Sequence, residues 1–329
     1  MKLFNPILLG LIVYCSATSA TTTPDVGNSP WGKNDELGRL NMMTAEGRAT
    51  LMANTDWQQV YDLAVDYYVG MPSWQAAGDP HYQFWMTHTP NGAIVDNVLQ
   101  QGTAVNQHVS YSGSAFSMYT HTGTHIDALS HFGLNGKIYN HFSAVTHLGD
   151  KGWQKAGAET LPPIIARGVL VDIPASKSLT QLPDNYRISA EDIKTALAKQ
   201  NTRVLNGDVV LIRTGRMRQF EQPSVYMNNA PGLGMSAAKY LAEEAGAMVL
   251  GADNLSFEAF PAEINGNYVP VHTYLLAQKG IPIIELAYLE ELAKDKVYEF
   301  AFVAASLKLR GADASPFRPI AVPLTHSGE

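Results

Sequence analysis

The sequence predicts an α/β fold: a mixed, β-rich core with helices packed on the sheet. Three observations predict it. Short continuous apolar runs, Val-Val-Leu-Ile at 209–212 and Ile-Pro-Ile-Ile at 281–284, have the composition of strands buried on both faces. A helix start precedes them at 189–192, where Ser189 can cap and Glu191 and Asp192 favour the helix dipole. No polar or low-complexity linker divides residues 31–329, so strands and helices are expected in one layered domain.

The elements follow in chain order. Residues 1–20 have the layout of a secretory signal: Lys2, an apolar run over 7–13, and the small-residue end Thr18-Ser19-Ala20. The apolar run falls well short of the ~20 residues that span a bilayer. Cleavage after Ala20 would export the chain to the periplasm or beyond and remove Cys15, the sole cysteine. Neither a disulfide nor a cysteine nucleophile is then expected. Residues 21–30, rich in Thr, Pro and Gly, read as a flexible leader.

Thr44 is the expected N-cap of a helix over 45–54. Residues 60–69 are β-prone and predict a strand, closed by Gly70-Met71-Pro72. The turn-rich loop 72–80 carries Trp74, and the aromatic cluster at 82–86 is expected in the core. Residues 104–121 are again β-prone, and Asn135-Gly136 is a turn. A strand is predicted at 167–173, and Ile193, Ala196 and Leu197 form the apolar face of the helix that Ser189 starts. Ser236 is the expected cap of a helix ending at Gly246. Strands then follow at 248–250, running into Gly251-Ala-Asp253, at 281–285 and at 299–309.

With 46% hydrophobic and 16% charged residues the composition is that of an ordinary globular chain, neither disordered nor repetitive. Its net charge of -7, with no basic run, argues against nucleic acid or an anionic membrane as partner.

The chemistry concentrates in residues 121–131, His-Thr-Gly-Thr-His-Ile-Asp-Ala-Leu-Ser-His. If the start of this stretch is extended, His121, Gly123, His125 and Asp127 share one face, and Gly123 leaves a gap for an ion. Two imidazoles and a carboxylate suit Zn, Mn or Fe(II), with positions open for water. Ligands from elsewhere must close such a site. His272 stands out, in what looks like a short helical turn. The strand that follows it ends at Glu285, a carboxylate costly to bury without a cation or other partner.

The run His121-x-Gly-Thr-His125-x-Asp127-x-x-x-His131-Phe132 closely resembles the signature of the metal-dependent cyclase-like hydrolases, the family of bacterial kynurenine formamidase and isatin hydrolase. The resemblance extends to residues 207–215, to Gly251-Ala-Asp253, to His272 with Glu285, and to residues 311–316. It implies the family's swivelling β/β/α fold and a dimer or larger homo-oligomer. It also implies a divalent metal, Zn or Mn, as one or two ions. His121, His125 and Asp127 would hold the first, and His272 with bridging Asp127 and Glu285 a second. His131 would be the proton donor and acceptor, and Trp74 would pack against a small aromatic or cyclic substrate. Two features depart from the formamidase pattern: Leu129 stands where that pattern has proline, and sequence is added before Val60 and around 135–190.

The implied reaction is hydrolysis of an amide, formamide or lactam C–N bond. The alternatives are isatin-type lactam or lactone ring opening, or a non-catalytic exported protein that binds a metal or small ligand. Neither a G-x-S-x-G elbow nor a H-E-x-x-H motif is present to support a serine hydrolase or that class of metalloprotease.

Overall fold

The computed structural model describes residues 24–325 apart from 76 and 98; the signal-like segment 1–20, with Cys15, lies outside the described residues. The fold is a mixed α/β arrangement on one nine-stranded sheet. Along the chain the elements used below are α1 (Ala45–Ala53), β1 (Tyr61–Asp62), β2 (Gln83–His88), β3 (Gly113–Ser117), β4 (His125–Asp127), β5 (Ile164–Asp172), α2 (Ala190–Lys199), β6 (Val209–Arg213), α3 (Met235–Lys239), β7 (Val249–Ala252), α4 (Pro270–His272), β8 (Ile283–Glu285), β9 (Glu299–Ala304), β10 (Ala314–Pro316) and β11 (Ile320–Pro323). The strand order is β1-β11-β9-β5-β6-β7-β8-β4-β10. Strands β5 to β8 run parallel to one another, and the flanking pairs are antiparallel.

The apolar runs predicted as strands are buried on both faces. Val210 and Ile212 pack with Val169, Val171, Ile193 and Ala237 on the face that α2 and α3 cover. Val209 and Leu211 face the other way, against Leu40, Leu170, Phe300 and Phe302. Each such side chain contributes roughly 1.5–3 kcal/mol by leaving water. Helix α2 starts as expected, with Ser189 and Asp192 forming a reciprocal capping box, and Thr44 caps α1.

Several expectations fail for identifiable reasons. Only Tyr61 and Asp62 of the strand predicted at 60–69 join the sheet. Beyond them Leu63 and Val65 are buried, but their N–H groups donate to Pro319 O and Thr124 Oγ1 instead of a ladder. The helix assigned to Ser236 starts at the Gly234 cap, and the Glu263 carboxylate accepts from Met235 N. It continues as a π-helix over Tyr240–Glu244. Of the 82–86 aromatics only Tyr82 packs against a core cluster: β2 and β3 form a separate hairpin with Phe84, Trp85, Met86 and Phe116 about half exposed. Residues 24–30 are not a loose leader. Val26 is buried, Gly27 N donates to Ala277 O, and Gly27 O accepts from Asn140 N.

Leu129, the departure from the formamidase pattern, is buried in the main core, 2.9 Å from where a Cβ on Gly38 would stand. It packs the added N-terminal sequence onto the sheet and does not line the cavity described next.

Candidate metal centre

The centre forms where antiparallel β4 closes the parallel part of the sheet. Register does the positioning: Glu285 stands opposite His125 on one side of β4, and Pro316 and Ala314 stand opposite His125 and Asp127 on the other. His121 arrives differently from the extended alternation the sequence predicts. Residues 121–124 turn, with Gly123 at φ +65, and the strand starts only at His125. Nor does Gly123 leave room for an ion, because the Tyr67 ring lies 2.4 Å from where its Cβ would be. Gly123 is needed for the left-handed turn and the close ring.

Three groups of side chains converge within 4.8 Å: His121 with His125 and Asp127; Asp127 with His272 and Glu285; and His121 with His131 and Asp313. Asp127 is common to the first two. The five residues selected as ligands from the sequence are thus together and buried. His131 follows β4 on a turn, its ring 3.9 Å from that of His121 and 6.4 Å from that of His272.

Hydrogen bonds orient the rings. His125 Nδ1 lies 2.8 Å from Gly123 O, which can only accept, so Nδ1 carries the hydrogen and Nε2 presents its lone pair. That Nε2 sits 3.4 Å from both Asp127 Oδ1 and Glu285 Oε2. Likewise His272 Nδ1 lies 2.6 Å from Glu258 Oε1, and Nε2 faces Glu285 Oε1 at 3.2 Å. Acceptor facing acceptor at these distances calls for a proton or a cation between them. His121 Nε2, His125 Nε2 and both Asp127 oxygens are buried with no hydrogen-bond partner, although His121 Nδ1 is only 2.8 Å from Asp127 Oδ1. They are close to one another, yet aimed past one another. Orphaned buried groups of this kind cost about 1–3 kcal/mol each, more when charged, and a divalent cation satisfies them together. The donor set, imidazole nitrogen plus carboxylate oxygen, fits such an ion.

The protonation balance agrees. Burial works against a charge on His125 and His272, but the Asp127, Glu258 and Glu285 carboxylates outweigh it and push both up to about 10. Burial opposes a charge on His121 too, and Asp127 more than compensates. His131 goes the other way: burial and the neighbouring His121 lower it, so its imidazole stays neutral. Asp313 is held well below the usual carboxylate range, since the His121 and His131 rings override the effect of burial.

Two residues of the site escaped the sequence reading. Glu258 is buried and accepts from Val271 N, His272 N and His272 Nδ1. Its loop offers no spacing that would single it out. Asp313 lies in the 311–316 stretch quoted for the resemblance, where no role was assigned to it. Its Oδ2 is 3.2 Å from His131 Nδ1, and Thr120 donates to its Oδ1. Trp74 stands at a cavity of about 370 Å³ that the centre also lines, together with Phe132 and Tyr268.

Fold and site define an α/β protein with a buried His-carboxylate centre at the end of its sheet. The chain belongs to the Cyclase family, matching it over residues 61–259. It is similar to a cyclase of known crystal structure, with 30% identity, a TM-score of 0.78 and coverage of 91% of this chain and 100% of that one. "Cyclase-like protein 3" of Oryza sativa subsp. japonica is 24% identical over 264 residues, 80% of each chain. Isatin hydrolase A from Ralstonia solanacearum shares the fold, with a TM-score of 0.60 and 19% identity over 80% of this chain and 92% of that one.

Proposed function

We propose that this protein is a metal-dependent hydrolase that opens a C–N bond, in an amide, formamide or lactam, of a small aromatic or cyclic substrate. One observation carries the reading: the buried, unsatisfied nitrogen and oxygen atoms of His121, His125 and Asp127, next to an aromatic-lined cavity that His121, His272 and Glu285 line. His121, His125, Asp127, His272 and Glu285 would hold one or two divalent ions, Zn or Mn. A cation held there would supply Lewis acidity toward a carbonyl oxygen and would acidify a water to about 7.

The chain's own residues do the rest. Asp313 accepts the Nδ1 hydrogen of His131, which leaves the Nε2 lone pair free. Neutral and part-exposed at the cavity, His131 takes the proton of the attacking water and returns it to the leaving nitrogen. Glu258 holds His272 in the tautomer that ligates. Phe132, whose ring centroid is 4.3 Å from that of His131 and 5.2 Å from that of His272, packs against both rings. Trp74 offers a face to the substrate ring.

Metal content per chain, measured with turnover of N-formylkynurenine and isatin, tests this. One or two equivalents of Zn or Mn with chelator-sensitive hydrolysis is the expected result, and the faster substrate separates formamide from lactam opening. A chain that takes up no divalent metal under any loading condition rules the proposal out.

Two further readings belong to the proposal. Export after cleavage at Ala20 is supported by the order of residues 1–20 and is tested by N-terminal sequencing of the secreted or periplasmic protein. A dimer or larger homo-oligomer is supported by the exposed β2–β3 hairpin, since a lone two-stranded ribbon is marginally stable in water. Light scattering on the eluted protein tests it.

A further inference from the structure

The cavity above the centre is one-sided in its charge. Trp74, Tyr119, Phe132, Phe260 and Tyr268 supply its aromatic surface, and no Lys or Arg is among its described lining residues. Its one carboxylate beyond the metal centre is Asp79, in the same loop as Trp74. Asp79 is half-buried, and among the described residues it has no hydrogen bond or ion pair. Trp74 and Tyr268 are 37% and 75% exposed, so their faces are open to a ligand at the mouth. Aromatic faces beside an unpaired carboxylate attract a cation and repel an anion.

We infer that Asp79, with Trp74 and Tyr268, forms a cation-selecting subsite at the cavity mouth, so that the enzyme prefers aromatic substrates with a side-chain ammonium group and no carboxylate. The inference deepens the hydrolase reading and rests on it for the bond that is cleaved. It does not rest on it for the binding. A substrate carboxylate would meet Asp79 without a basic partner. An ammonium group would be shared between the Asp79 oxygens and the two ring faces while the scissile carbonyl points down at the centre.

The test uses metal-loaded protein and three formanilides matched in their ring. N-formylkynurenine bears an ammonium and a carboxylate, N-formylkynuramine an ammonium alone, and N-formyl-2-aminoacetophenone neither. N-formylkynuramine is expected to exceed the neutral compound about tenfold in kcat/KM at pH 7, mostly through KM, with N-formylkynurenine last. In Asp79→Asn the ratio of cationic to neutral substrate collapses to about one, and in Asp79→Glu it is largely restored. Equal rates for the three in the unmodified protein, or a ratio that survives Asp79→Asn, would overturn the subsite.

Calorimetry with kynuramine and 2-aminoacetophenone, on the same protein, reads the subsite without chemistry. If none of the formanilides is hydrolysed but kynuramine binds more tightly than the neutral ketone in an Asp79-dependent way, the formamide form of the hydrolase reading fails and the subsite stands. If the two bind alike, the subsite fails whatever is hydrolysed. Asp79 lies on a loop outside both cores, so the substitutions are expected to fold; circular dichroism checks this.

Discussion

The two walls of the cavity are built on opposite principles. The floor, with His125 and Asp127 on β4 and Glu285 on β8, is buried, strand-held and registered by ladders on both sides of β4. The mouth, with Trp74, Asp79 and Tyr268, lies on loops with side chains wholly or half in water. Ligand atoms that must agree to a few tenths of an ångström are placed where packing leaves no freedom. Groups that choose among substrates sit where a substitution costs the fold little.

Breaking the floor should have the largest effect. His125→Ala is expected to abolish metal uptake and activity together while a folded chain persists; retained stoichiometric metal, measured by atomic absorption, would move the centre elsewhere. His131→Ala should separate the two properties, keeping the metal but lowering kcat about 10²- to 10⁴-fold. Metal loss equal to that of His125→Ala would make His131 a ligand. Glu258→Gln acts one bond further out, and metal affinity should weaken about 10- to 100-fold in a competition titration with a chelating dye. No change in affinity would mean that Glu258 serves only the backbone N–H groups it accepts from.

Burial in the sheet also has a pH signature. Asp253 follows β7 fully buried, accepting from Thr214 N, Thr214 Oγ1 and Gly215 N, and burial still pushes it up to about 6 from its ordinary value of 3.8. Because the folded state then holds the proton more tightly than the unfolded one, its contribution to stability is complete below about pH 4. It is lost as pH rises through 6 and changes no further above that. The slope is at most about 1.4 kcal/mol per pH unit. Urea unfolding of the metal-free protein should show a shallower loss between pH 4 and 6 in Asp253→Asn than in the parent; parallel curves would mean Asp253 is ionised throughout. The smallest effect belongs to the mouth. Trp74→Ala removes one aromatic contact and should raise KM about 2- to 12-fold with kcat kept. A fall in kcat instead would give Trp74 a part in aligning the reacting carbonyl.

Much of this was legible in the chain. Apolar runs, caps and the clustered histidines are local signals, so β6, β8, α2 and residues 121–131 could be located without coordinates. His272 stood out for a short helical turn leading to the strand that ends at Glu285, a carboxylate costly to bury alone, and the family resemblance made both of them ligands. Local signals failed where tertiary partners override propensity: Leu63 and Val65 lie in a β-prone run but find their hydrogen bonds outside the ladder, and Phe84 and Trp85 leave the core on a hairpin.

By itself, then, the sequence determined the class of fold, the stretch that carries the centre and the residues that can ligate, because each depends on side-chain chemistry or short-range periodicity. Only the tertiary structure decided how His121 reaches the centre, through a turn closed over Tyr67 and not along a strand. It alone brought Glu258 to His272, Asp313 to His131 and Asp79 to the mouth. Those pairings span up to 182 residues, and a contact between groups so far apart along the chain is set by the packing of the whole sheet.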